Sequence, residues 1–264
     1  MAETIFMIHG MFGGPWCWDN YREMFEGEGY RCISTTLPYH DMDPQGVPDP
    51  RLGTISLLDY VDALEQEIKQ FDEKPILMGH SMGGLLAQML GARGLAKAIV
   101  LITPASPSGI FVTEPSVIKS VWSVIRRWGF WKKPARLTCA DVAYSMLHQL
   151  PEAEHKGIYD KFVCESGRVV FEVGCWFLDV KAASKVDESR LTCPMLVVAG
   201  RQDRLTPVSS IRRVVKKYKS VSTYKEFENH SHWIMAEPRW QEVAEYIADW
   251  LRSDNKGDAE SNYV

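Results

Sequence analysis

The chain has no long apolar run, no cysteine pair at metal-ligand spacing and no excess of basic charge, and each absence removes a class of function. Without a stretch of about eighteen apolar residues, no membrane-spanning helix is expected. The N-terminus, MAETIFMIHG, lacks a basic region followed by a long apolar one, so no secretory signal is expected. The six cysteines (Cys17, Cys32, Cys139, Cys164, Cys175 and Cys193) form no C-x-x-C pair, which excludes zinc ribbons and thioredoxin-like motifs. A chain of 264 residues has no need of disulfide staples, so reduced cysteines in a cytoplasmic protein are expected. Thirty basic against 34 acidic residues, net −4, advertise no nucleic-acid partner. What is there is an ordinary globular composition, 45% hydrophobic and 24% charged. Nine tryptophans and eleven methionines stand out, and they imply either an aromatic core or an apolar binding site.

Short β-rich runs alternate with helical patterns. Strands are expected at Thr4–His9, Arg31–Thr35, Pro75–Gly79, Ala98–Ile102, Pro194–Ala199 and Thr223–Phe227. Helices are expected at Trp16–Gly29, Ile55–Phe71, Met82–Arg93, Ser209–Tyr218 and Arg239–Leu251, the second with Leu58, Val61, Leu64 and Ile68 near helical spacing. Such alternation implies an α/β fold with a mostly parallel sheet of about six strands, flanked by helices on both faces. The interval from Ile102 to Pro194 is far longer than the dozen or so residues that a crossover needs. It reads as helices at Pro115–Gly129, Cys139–Gln149, Glu152–Ser166 and Val169–Val180, and holds Trp122, Trp128, Trp131 and Trp176. An insertion there sits over the carboxyl ends of the strands, where such sheets bind ligands.

The strand at Pro75–Met78 runs into Gly79-His80-Ser81-Met82-Gly83-Gly84 and then a helix. A serine on so sharp a turn needs small neighbours two residues away on either side, so that strand and helix can approach; Gly79 and Gly83 supply this. The turn also sets Ser81 at a helix N-terminus, where free N–H groups favour developing negative charge. Ser81 is the candidate nucleophile.

With this motif in its strand–turn–helix context, the chain resembles an α/β-hydrolase over all but the inserted segment and the tail. It is similar to members with a short N-terminus, a start shared by the hydroxynitrile lyase and plant methylesterase branch. The resemblance implies an α/β-hydrolase core at residues 1–104 and 191–252 and a helical cap at 105–190, while the polar composition of 253–264 leads us to expect a disordered tail. The resemblance also implies two oxyanion donors: the backbone N–H of Met11, with Phe12 as its substitute, in His9-Gly10-Met11-Phe12-Gly13-Gly14, and that of Met82 after the nucleophile. The Met11 and Phe12 side chains would line the acyl pocket, with Met82 and Trp233 beside them, whereas His9 is read as structural. The loop Gly200-Arg201-Gln202-Asp203-Arg204-Leu205-Thr206-Pro207 matches the family's acid loop and nominates Asp203. Asn229-His230-Ser231-His232-Trp233 offers two bases; counting back from Glu237-Pro238 favours His232 over His230. His-x-His is not read as a zinc site, since no Cys or Glu is read as clustering with the pair, and neither metal nor cofactor is expected. His80, His148 and His155 are read as ordinary polar residues, and His40 as one that could line the cleft.

The expected activity is a carboxylesterase-type serine hydrolase acting on a small-molecule apolar ester through an acyl-enzyme. Ser81 stands where epoxide hydrolases and dehalogenases of this fold carry Asp. Met11 and Trp233 stand where hydroxynitrile lyases of the similar branch carry Thr and Lys. A C–C bond hydrolase of a dienoic acid, and a non-catalytic ligand-binding protein on the same fold, stay open, as does the oligomeric state. The basic pairs Arg126-Arg127 and Lys132-Lys133 read either as a patch for a substrate carboxylate or phosphate, or as a solvated helix face.

Overall fold

The computed structural model describes residues 2–253. In chain order the elements are β1 (Thr4–Ile8), α1 (Asp19–Gly27), β2 (Arg31–Ser34), α2 (Leu57–Ile68), β3 (Ile76–His80), α3 (Met82–Ala92) and β4 (Ala98–Ile102). The inserted segment follows, with α4 (Pro115–Ile125), β5 (Pro134–Ala135), α5 (Cys139–Ser145), α6 (Glu152–Tyr159), β6 (Glu165–Ser166) and α7 (Gly167–Gly174). Then come β7 (Met195–Gly200), α8 (Val208–Lys217), β8 (Ser222–Phe227) and α9 (Trp240–Arg252). Six strands form one sheet in the order β2-β1-β3-β4-β7-β8, and every neighbouring pair is parallel.

The period-two geometry of the strands divides the core into two layers. From β1, Ile5 and Met7 enter one layer, where they meet Tyr21 and Phe25 of α1 and Val243, Ala244 and Ile247 of α9. Phe6 and Ile8 enter the other, with Val61 and Leu64 of α2, Leu85 of α3 and Ile211 and Val214 of α8. Central strands buried on both faces are apolar throughout, which is why Ala98–Ile102 reads as an unbroken run, AIVLI.

The inserted segment departs from its expected helical reading. The helix expected through Ser166 ends at Tyr159, and Glu165–Ser166 pair antiparallel with Pro134–Ala135. That pairing brings a carboxylate into the interior, where Glu165 is fully buried. The helix expected from Cys139 stops at Ser145, and the one expected to reach Val180 ends at Gly174, before a 3-10 turn at Trp176–Leu178. All six cysteines are free thiols. Among the described residues no helix is long and apolar enough to cross a membrane. Of the tail expected at 253–264, Ser253 caps α9 by donating its N–H to the Asp249 carbonyl, and the rest lies outside the described residues.

Candidate active site

The carboxyl ends of β1, β3, β7 and β8 bring four loops together. Ser81 follows β3 with φ 53° and ψ −119°, a backbone conformation that L-residues hold only when their surroundings enforce it. Its N–H donates to the Ile102 carbonyl at 3.0 Å, and its own carbonyl accepts from Ala105 N–H at 2.8 Å. A Cβ on Gly79 would overlap the Gly83 carbonyl, and one on Gly83 would overlap the carbonyls of Ile8 and His9. Both glycines are therefore required by the close approach of strand and helix. Gly10 crosses the same turn, so near that a Cβ on it would stand 3.0 Å from Ser81 Cβ.

Asp203 is buried at the end of β7 with both carboxylate oxygens occupied. Oδ1 accepts from the N–H groups of Leu205 and Thr206, each at 2.7 Å. Oδ2 lies 2.8 Å from His232 Nδ1 and 2.7 Å from Thr206 Oγ1. The Thr206 hydroxyl also lies 3.0 Å from the Thr103 carbonyl, so one proton serves two acceptors. Burial pushes the Asp203 carboxyl upward, but His232 and the Thr206 donors outweigh it and hold the group below the ordinary Asp value.

With Nδ1 of His232 donating to Asp203, Nε2 is its lone-pair nitrogen, and Nε2 is buried with no hydrogen-bond partner among the described residues. The Ser81 hydroxyl therefore does not yet meet it in hydrogen-bond geometry, a looseness common in unliganded sites. His230 turns elsewhere: its Nδ1 lies 3.2 Å from Glu237 Oε2. Glu237 also accepts from Ser231 N–H at 2.8 Å and from the Ser231 hydroxyl. Asp203 and His232 are thus brought together, while His230 is tied to the residue that fixes the loop.

His80 and Thr206 carried no functional assignment in the sequence, yet both hold this arrangement. His80 Nε2 donates to the His232 carbonyl at 2.9 Å, and the two rings lie 4.8 Å apart. Burial, together with His232, lowers the His80 pKa to about 3, so the ring is neutral. Thr206 was legible only as a polar residue just before Pro207, a position from which a short side chain caps a turn.

The His9–Gly14 loop brings unoccupied donors to the same place. No hydrogen bond occupies the N–H of Met11, Phe12 or Met82 among the described residues. His9 Nε2 accepts from Leu37 N–H at 3.3 Å and Nδ1 donates to the Gly10 carbonyl at 2.8 Å, which fixes the loop and the tautomer. Phe12 and Met82 are buried, and Met11 is half-buried. Trp233 is buried among Trp16 and Phe162, with ring centroids at 5.7 and 5.6 Å.

His40 lies in a buried network that joins the core to the inserted segment. Its Nε2 is 3.2 Å from Glu165 Oε2 and its Nδ1 is 3.1 Å from the Pro38 carbonyl. Two acceptors require two ring protons. Burial opposes the charge, but Glu165 prevails and raises the His40 pKa. Tyr60 of α2 donates to Glu165 Oε1 at 2.7 Å.

Comparison with known proteins gives a match to the model of the alpha/beta hydrolase family over residues 5–246. Methylesterase 9 of Arabidopsis thaliana is 31% identical over 85 residues, which are 31% of this chain and 32% of that protein. A monoacylglycerol lipase of Mycolicibacterium smegmatis is 27% identical over 183 residues, 67% of this chain and 62% of that protein. The chain thus aligns with about a third of the methylesterase and under two thirds of the lipase. A solved structure of Paleococcus ferrophilus monoacylglycerol lipase superposes with TM-score 0.69 at 25% identity, covering 94% of this chain and 93% of that one.

Proposed function

This chain belongs to the α/β hydrolase family, and from that premise we propose that it is a serine hydrolase cleaving carboxylic esters of apolar acyl or aryl substrates through an acyl-enzyme. The observation that carries the reading is the His232 imidazole, held at Nδ1 by Asp203 at 2.8 Å and left without a partner at Nε2 among the described residues, beside the strained turn at Ser81.

In this reading Nε2 of His232 takes the Ser81 proton as Oγ attacks the ester carbonyl, and Asp203 stabilises the imidazolium. The oxyanion is received by the N–H of Met82 and that of Met11, or of Phe12 in its place. Donors fixed in advance need no reorganisation when charge develops, and one such donor contributes roughly 3–4 kcal/mol. His232 returns its proton to the leaving alkoxide. Water, deprotonated by the same nitrogen, then releases the acid. The side chains of Met11, Phe12, Met82 and Trp233 form the apolar surroundings of the acyl group. Residues 105–190 act as a cap over a core formed by 1–104 and 191–252. The names methylesterase and monoacylglycerol lipase, carried by relatives that match over part of their length, support ester chemistry.

A phosphonate ester that traps serine nucleophiles, followed by peptide mass spectrometry, is expected to label Ser81. p-Nitrophenyl acetate and butyrate are expected to be hydrolysed, and Ser81→Ala to abolish turnover. Label elsewhere, or no release from these or longer p-nitrophenyl esters, refutes the reading and leaves a C–C hydrolase or a ligand-binding protein.

A further inference from the structure

Helix α4 buries Val124 in the core but sends part of its apolar surface outward. Ser120 is fully buried and Ser123 is 7% exposed, while Ile118 and Trp122, one turn apart, are 49% and 56% exposed. Just beyond the helix, Trp128 is 88% exposed, in edge contact with Trp131 at 5.2 Å. A helix built only for packing turns its apolar stripe inward. This one buries two hydroxyls beside Val124 and presents Ile118 and an indole, and an exposed apolar patch rimmed by charge marks an interaction surface.

The charge on the segment itself has one sign, with Asp141 of α5 as an acid near Arg126. Residues 115–133 carry five cations (Lys119, Arg126, Arg127, Lys132 and Lys133) and no Asp or Glu, in a chain whose acids outnumber its bases 34 to 30. Arg126 lies one turn beyond Trp122 on the same face. Arg126, Arg127, Lys132 and Lys133 are exposed and form no ion pair among the described residues.

We propose that this face docks on an anionic lipid surface, with Ile118, Trp122 and Trp128 entering the interfacial layer and the four free cations meeting lipid phosphates. Indole suits a boundary between apolar and wet surroundings, and neighbouring Lys and Arg add attraction to anionic headgroups. A second copy of the chain is a poor occupant, because a two-fold interface would set the basic face against itself. Single-stranded nucleic acid, on which the two indoles could stack but for which Ile118 has no use, is an outcome of the test. The proposal goes beyond the hydrolase reading and does not depend on it.

Co-sedimentation of the full chain with phosphatidylcholine vesicles, with and without roughly a third phosphatidylglycerol, tests the proposal. Partitioning is expected to be at least about tenfold stronger onto the anionic vesicles and to weaken at high salt. Trp122→Ala/Trp128→Ala is expected to reduce it about tenfold, and Arg126→Glu/Arg127→Glu to abolish it. These residues are exposed, so all variants are expected to keep the far-ultraviolet spectrum of the folded protein. Ser81→Ala is expected to bind as the unaltered chain does, which separates this proposal from the fate of the hydrolase reading. Equal partitioning onto both kinds of vesicle, none onto either, or binding that survives the charge reversal overturns it. So does a concentration-dependent dimer that Trp128→Ala dissolves, or a single-stranded oligonucleotide that binds this face in place of the vesicles.

Discussion

Gly200 and Ser231 touch backbone to backbone: a methyl group on Gly200 would stand 2.5 Å from the Ser231 carbonyl oxygen. The end of β7 and the loop carrying His232 can be this close only without a side chain between them, and this closeness sets the 2.8 Å contact of Asp203 with His232. Gly200→Ala is expected to displace the loop and lower kcat about a hundredfold, because misplacement by an ångström costs about that much. Steady-state kinetics with p-nitrophenyl butyrate measures it, and KM is expected to change far less than kcat.

The two histidines of the loop separate by variant. His232→Ala and Asp203→Asn are each expected to lower kcat by about ten-thousandfold. His230→Ala removes one of the hydrogen-bond partners of Glu237 and leaves those from Ser231, so it is expected to cost about 1–3 kcal/mol of stability and to spare most of kcat. Equal losses of kcat from the two alanine variants would show that the base is misassigned.

His9 and His80 make the fold sensitive to acid. In both, burial lowers the pKa to about 3 from an ordinary value of 6.5, with His40 adding to the effect at His9 and His232 at His80. The unfolded chain therefore binds protons between these values while the native one does not. Stability falls as pH drops from about 6.5 towards 3, by up to about 1.4 kcal/mol per pH unit for each ring. His40 has the opposite sign: its raised pKa makes the pair with Glu165 fully effective below the unfolded value and lost as pH rises through the native one. Thermal melts across this range are expected to show the acid limb, and His80→Gln, which keeps a donor for the His232 carbonyl, is expected to make it shallower.

Glu165→Gln tests the buried tie between the core and the inserted segment. It keeps an acceptor for Tyr60 but leaves the His40 cation without its counter-charge, and it is expected to destabilise the chain by about 3 kcal/mol in chemical unfolding. A change below about 0.5 kcal/mol would show that His40 is neutral in the native state.

The parts of the site legible in the sequence are those built from neighbours in the chain. Gly79 to Gly83 writes its whole geometry into a few residues, and Asp203 stands in a loop of fixed pattern. Spacing from Glu237-Pro238 favours His232 over His230, but the physical reason, Glu237 occupying His230, lies in the folded loop. Glu165 and Glu172 would be placed on the surface by residue type. Beside the nearby Ser166 N–H and Arg168, partners about a hundred or more positions away, Tyr60 and His40 for one and Ser56 and Leu57 for the other, supply the hydrogen bonds that let them be buried. The sheet was readable from alternation. The two-residue strands of the inserted segment were not, since they are too short to show any period.

The pairing of β4 with β7, in register from Ile99 with Met195 to Ile102 with Val198, joins strands that the chain produces far apart in time. Loop closure itself grows only slowly with length, so the delay costs little free energy. Its consequence falls on synthesis: until Met195 has emerged, one edge of AIVLI has no neighbour. A bare apolar edge is a template for any other unfinished chain. Premature termination within residues 103–194 would therefore leave a product that aggregates, whereas truncation beyond β8 would leave the sheet closed on that side.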